Sequence, residues 1–290
     1  VTVIGYLYSV PISVPSGETL HLVGLTFIAS LLVQRGPVTL DDCSVVMAGG
    51  DALQAIGGPV HLQQCTLQVT IGSSTMMGVL TAYNTTVTAV DSTILGPLAS
   101  GPAVPAVRLL GSLFHASNCV ITGGQPSPGV PAIVAGTGNT LWLSDSTVTS
   151  SPVLCPIAGT GTAGGMARTT LTPNCGGLPA APLLGIARVA PILAGGTFTL
   201  NFRSAPSEVI GVGASLSLNL RPLALLQQPL LLGPGAFPAG LLVADGGGAA
   251  VANWPIPGNV ALIDRTVWLQ GFAGLTAPVQ TSPAAGGVVR

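Results

Sequence analysis

A short phrase recurs along this chain, and laying its copies over one another produces three columns of residues, each of which invites a chemistry. The copies run from Leu20 to Phe27, Val38 to Val45, Val60 to Leu67, Val87 to Ile94, Phe114 to Ile121 and Leu141 to Val148. The fifth position reads Gly24, Asp42, Gln64, Asp91, Asn118, Asp145. A row of carboxylates on one face is what acid–base cleavage of a polysaccharide requires. The second position reads His21, Thr39, His61, Thr88, His115, Trp142, and imidazoles in register invite a metal ion. The sixth reads Leu25, Cys43, Cys65, Ser92, Cys119, Ser146, a column of thiols and hydroxyls.

Spacing weighs against all three chemistries. If copies stack as neighbouring strands, successive positions lie ~4.8 Å apart. Asp91 and Asp145 are then ~9.6 Å apart, near the upper edge of the ~6.5–9.5 Å range for an inverting glycosidase. Neither has a second acid or a lysine beside it. Asp42, Gln64, Asp91, Asn118 and Asp145 therefore read as a polar ladder whose side chains satisfy backbone groups at a corner. The histidines fall on alternate copies, again ~9.6 Å apart, whereas ligands of one metal must each come within ~2.1 Å of it. They read as an exposed, outward-facing column, with no metal and no cofactor. Nothing in the sequence activates the thiols. Cys43 and Cys65 could be bridged if their coils are adjacent, but side-by-side parallel strands suit a disulfide poorly, so Cys43, Cys65 and Cys119 read as free and packed inward.

The elements that must hold these columns are strands. Apolar residues alternate with polar ones within each phrase, as in Val38, Leu40 and Val60, Leu62. A second apolar run precedes most copies: Leu31-Leu-Val, Ala52-Leu-Gln-Ala, Val79-Leu-Thr-Ala, Ala106-Val-Arg-Leu and Ala132-Ile-Val-Ala. The last four copies are spaced by 27 residues and the earlier gaps are 22 and 18, a solenoid signature. The expected fold is all-β: a right-handed parallel β-helix over 20–150, followed by a β-sandwich. Residues 1–19 form an extended N-terminal arm or the first coil. The arm's Val1, Val3, Ile4, Tyr6 and Tyr8 are β-formers able to complete a neighbour's sheet. Residues 151–183, with Gly159-Thr-Gly-Thr-Ala-Gly-Gly and five prolines, read as a cap and linker. From 184 to 290 strand patterns recur every eight to twelve residues, with Asp245-Gly-Gly-Gly as a hairpin turn.

Composition narrows the classes. Of 290 residues 48% are hydrophobic and 6% charged, and lysine is absent. A net charge of −1 with scattered arginines gives no basic patch for nucleic acid. Glycine (40) and proline (25) interrupt every apolar run before it reaches membrane-spanning length. The chain opens without Met or a leader, which reads as a processed or trimmed start. Asn84-Thr-Thr is a glycosylation sequon. Cys155 and Cys175 bracket a loop and read as a disulfide closing about 20 residues, worth roughly 3 kcal/mol. That bond implies an oxidising compartment, hence an extracellular or cell-surface location.

The stretch Val10-Pro-Ile-Ser-Val-Pro-Ser-Gly-Glu-Thr-Leu-His-Leu-Val-Gly resembles the first coil of the pectate-lyase-like right-handed parallel β-helix superfamily. The resemblance covers about residues 10–150 and carries no catalytic motif. Gly-Gly-Thr-Phe-Thr-Leu at 195–200, Trp254-Pro-Ile-Pro and Val267-Trp-Leu-Gln-Gly-Phe-Ala resemble a C-terminal β-domain found on many secreted proteins of GC-rich bacteria. A lyase of that superfamily needs a Ca²⁺ site and a basic residue, which nine scattered acids and no lysine do not readily build. The expected function is therefore a non-catalytic extracellular structural or adhesive protein, a homo-oligomer and the self-assembling subunit of a surface filament. The alternatives are a polysaccharide-active lyase or glycoside hydrolase, or a carbohydrate-binding module.

Overall fold

A computed structural model describes residues 2–3, 10–15, 18–71, 77–97, 102–125, 129–159, 161–175, 178–221, 223, 225–274 and 278–290. The chain forms two compact units, Val1–Ala180 and Ala181–Arg290. The first is a parallel β-solenoid and the second a set of antiparallel sheets. Its single helical element is one 3₁₀ turn, Val260–Leu262, among the described residues. No described helix is long and apolar enough to cross a membrane.

Each coil of the solenoid visits three parallel sheets in turn, which we number by the order of visiting. Sheet 1 begins at Val10–Val14, sheet 2 at Leu20–Val23 and sheet 3 at Thr2–Val3; they hold seven, seven and eight described strands. The recurring phrase spans sheet 2, a sharp corner and the start of sheet 3. Its alignment is the observed register. Leu20, Val38, Val60, Val87, Phe114 and Leu141 pair in one row. The preceding apolar runs form sheet 1, where Leu31, Leu53, Leu80, Val107 and Ile133 make the equivalent row. These rows, with Val45, Leu67, Ile94, Ile121 and Val148 of sheet 3, close on one apolar core. Period-2 alternation sends every other side chain inward, and stacking repeats the same contact in every coil.

Residues read as a cap and linker hold a further coil. Ile157–Ala158 extends sheet 1, Ala163–Ala167 sheet 2 and Thr170–Thr172 sheet 3. The glycines that suggested a loop are there for the stack. A Cβ on Gly164 would lie 1.9 Å from the Leu141 carbonyl oxygen of the coil before.

In the second unit, Gly185–Arg188, Thr197–Arg203 and Ala249–Pro255 form one antiparallel sheet. Phe237–Val243, Val209–Ser215, Thr266–Ala273 and Gln280–Val288 form another. Phe198, Leu200 and Phe202 alternate inward, and the two sheets meet where Gly271 backs onto Phe202. A Cβ at 271 would stand 2.8 Å from that ring. Arg188, buried at 4% exposure, donates to the Gly286 carbonyl of the opposite sheet. Asp245-Gly-Gly-Gly, read as a hairpin turn, joins strands of different sheets rather than a paired hairpin. The Asp245 carboxylate accepts the amides of Gly247 and Ala249 at 2.8 Å, which hold it below the usual carboxylate range.

Candidate functional site

The corner between sheets 2 and 3 carries two of the columns. Gly24, Asp42, Gln64, Asp91, Asn118, Asp145 and Arg168 all have positive φ, between 48° and 64°. The corner thus needs one left-handed residue per coil, a conformation that glycine, aspartate and asparagine enter most readily. Stacked at this corner, the ladder side chains bond to one another. Asp91 accepts from Asn118 at 2.7 Å and from Gln63 at 3.0 Å, and Asp145 takes both prongs of Arg168 at 2.7 and 3.0 Å. The bonds from Asn118 and Arg168 lie at the surface, where each contributes about 0.2–1 kcal/mol. The carboxylates of Asp91 and Asp145 are thus engaged with neighbours in the stack.

One residue further on, the sixth column seals the corner from inside. The Cys65 amide donates to Ser92 Oγ and the Cys119 amide to Ser146 Oγ, both at 3.1 Å. The Leu25 and Cys43 amides donate likewise to the sulfurs of Cys43 and Cys65. Each thiol or hydroxyl in turn donates to a carbonyl two residues back, as Cys65 does to Gln63 and Ser92 to Val90. A buried amide that strand pairing leaves over is satisfied by the next coil's small polar side chain. Cys43, Cys65 and Cys119 are free and buried, whereas Cys155 is bonded to Cys175. Burial pushes the Cys119 thiol up to about 12.

The second column is a correction. It does face away from the solenoid core, but it is not exposed: His61 and His115 are 5% and 1% accessible. Thr39, Asp41, Gln63, Thr88, Ser117 and Ser144 on the same face are buried too. Alternation assigns a side chain to a face of a sheet and is silent on whether that face is covered. His61 Nδ1 lies 2.5 Å from Thr88 Oγ1, its partner in the next coil. His115 has neither ring nitrogen hydrogen-bonded, and burial drives its pKa down to about 3, so it is a neutral ring. Among the described residues no three His, Cys, Asp or Glu side chains are grouped to hold a metal.

Two features escaped the sequence reading. Asp51, buried between sheets 3 and 1, accepts from Gln54, Thr81 and the Met77 amide at 2.9–3.1 Å. This knot ties the long connection between Thr70 and Val79 to the coil below. Gln54, Thr81 and Arg108 stack beside it in one row of sheet 1, and the Arg108 Nε is buried without a hydrogen bond. Asp51 lies outside the repeated phrase, so no column drew attention to it.

The other feature is an open, apolar groove of about 790 Å³ in the second unit. Gly211 and Gly213 form its floor, and Leu232, Phe237, Leu241 and Phe272 line it. One side is the edge strand Phe237–Val243, which pairs on one side only, carries no charge and exposes Phe237, Leu241 and Val243. Scattered single apolar residues in the sequence do not disclose a groove, because they are gathered by four separate strands.

Of the arm residues, Val3 pairs with Phe27 of this chain's own solenoid, and Val10–Val14 with Leu31–Arg35. Val1, Ile4, Tyr6 and Tyr8 lie outside the described residues. No family model matches the chain, and neither a curated protein nor a solved structure matches it.

Proposed function

We propose that the chain is a non-catalytic structural or adhesive protein of the cell exterior, in which a solenoid of the pectate-lyase-like kind serves as scaffold and the C-terminal sheets as the self-associating head. One observation carries this reading: the uncharged edge strand Phe237–Val243, with Leu241 77% and Val243 65% exposed, beside an apolar groove. A bare apolar edge is a template for pairing unless charge, proline or a cover blocks it. Here only Pro238 and the Trp254 indole, which donates to the Ala239 carbonyl at 3.5 Å, stand in the way near its start, and the next charge along the chain is Asp245. A second copy can therefore add a strand, backbone to backbone, while its side chains enter the groove. Repeated head to tail such contacts extend into a filament; about a twofold axis they close into a dimer. The Cys155–Cys175 bond supports an oxidising compartment.

Sedimentation across a concentration series tests the reading. The wild-type protein is expected to associate, and Leu241→Lys with Val243→Glu to stay monomeric while keeping its fold. A wild-type protein that remains monomeric at high concentration, or a double variant that associates as before, overturns it.

A further inference from the structure

We propose that Cys43 and Cys65 form an oxidisable dithiol, a modification site at which a low-molecular-weight disulfide is reduced and adjacent coils become covalently joined. The pairing follows from register. Asp41 pairs with Gln63 and Ser44 with Thr66, so the intervening Cys43 and Cys65 stand one above the other in neighbouring coils. Strand spacing sets their Cα atoms ~4.8 Å apart, inside the span of about 4.4–6.8 Å that disulfides bridge. Both thiols are buried on the same inner side of the corner, Cys43 against the Leu22 and Asp41 carbonyls and Cys65 against those of Leu40 and Gln63. Cys119 is the internal control, because its neighbours in the column are Ser92 and Ser146.

The two thiols are not equivalent. The Cys65 side chain and the Leu25 amide hydrogen-bond to Cys43, lowering its pKa against the effect of burial. Burial raises that of Cys65. Cys43 also follows the exposed corner residue Asp42 directly. Cys43 is therefore the attacking sulfur. Its thiolate displaces one thiolate from the small disulfide, forming a mixed disulfide, and the released thiolate takes up the proton that Cys43 lost. Cys65 then attacks the Cys43 sulfur and expels the second small thiol with its own proton. Two protein thiols are oxidised and one disulfide is reduced to two thiols. Side-by-side strands hold the Cβ atoms further apart than the ~3.8 Å a relaxed bridge prefers, so the product is strained and readily reduced again. The proposal does not depend on self-association.

Treatment of the folded protein with oxidised glutathione tests it, followed by thiol counting and peptide mapping. The expected result is loss of two of the three free thiols, a Cys43–Cys65 cross-link, an unmodified Cys119 and no glutathione retained. Cys65→Ser is expected to trap glutathione on Cys43; serine already stands at this corner position in two other coils, so the variant has a precedent for folding. Glutathione held stably on wild-type Cys43, or equal reaction at Cys119, overturns the proposal. So does a folded protein that keeps three thiols while the urea-unfolded chain is oxidised by the same reagent.

Discussion

The two units handle the same apolar composition in opposite ways. Of seventeen large hydrophobic residues exposed among those described, twelve lie in the shorter second unit and five in the solenoid. A solenoid coil closes on itself through three sheets, so each apolar row meets two others across the core. Its outward rows mix serine, threonine, glutamine and histidine with fewer apolar residues, of which Ile56 and Val120 are exposed. The antiparallel sheets have edges and an outer face, and there the apolar residues stay outside. Burial by repetition and display by open edges are thus two uses of one residue alphabet, and the function proposed above belongs to the second.

That contrast makes its largest claim at Phe114, which is fully buried in the middle of the stack. Phe114→Ala is expected to cost about 3–5 kcal/mol, because the coils above and below prevent the cavity from collapsing. Urea unfolding followed by far-UV circular dichroism measures the loss. A cost below about 1 kcal/mol would mean that the stack is loosely packed.

A smaller effect comes from the sealed outer face of sheet 2. Folded His115 takes a proton only near pH 3, whereas in the unfolded chain it does so near 6.5. Below pH 6.5 the unfolded state therefore binds a proton that the folded state refuses, and stability falls as pH drops, by up to about 1.4 kcal/mol per unit. Above pH 6.5 this contribution is constant. His21, lowered in pKa by burial, acts in the same direction. Unfolding midpoints at pH 7 and 5 are expected to differ markedly in the wild type and less in His115→Leu. Equal pH dependence in both would show that His115 is solvated.

The corner column offers a test of about 1–2 kcal/mol, the cost of leaving a buried amide unpaired. Ser92→Ala removes the acceptor of the Cys65 amide and is expected to destabilise by that amount, while Ser92→Cys is expected to be nearly neutral. Cysteine already fills this place in three coils.

How much of this was legible depends on whether the repeat spoke. The register of all six phrases followed from the sequence, since a one-residue slip would have turned Val38, Val60 and Phe114 outward. The left-handed corner was implicit in the Gly, Asp and Asn of the fifth column. The buried state of His61 and His115 was not, because what covers a face lies elsewhere in the chain. Gly164 misled for a related reason: a glycine demanded by a carbonyl in the preceding coil looks like loop composition when read alone. The Asp51 knot and the apolar groove rest on single residues from separate segments, which no periodicity marks.

The smallest effect, expected at Val251, belongs to a pair of substitutions that separates the two units most cleanly. Valine and threonine are nearly the same shape and both favour strands, so replacing one by the other changes little except a buried or solvated hydroxyl. Val45 is fully buried in sheet 3 and Val251 is 57% exposed in the second unit. At Val45 the hydroxyl would enter an apolar row between Phe27 and Leu67, where a cost of about 1–3 kcal/mol is expected. At Val251 the hydroxyl stays in water, and the change in stability is expected to lie within about 0.5 kcal/mol. Urea unfolding of the two variants side by side measures both. A loss at Val251 comparable to that at Val45 would mean that the strand Ala249–Pro255 is covered in solution, and that the apolar surface of the second unit is already an interior.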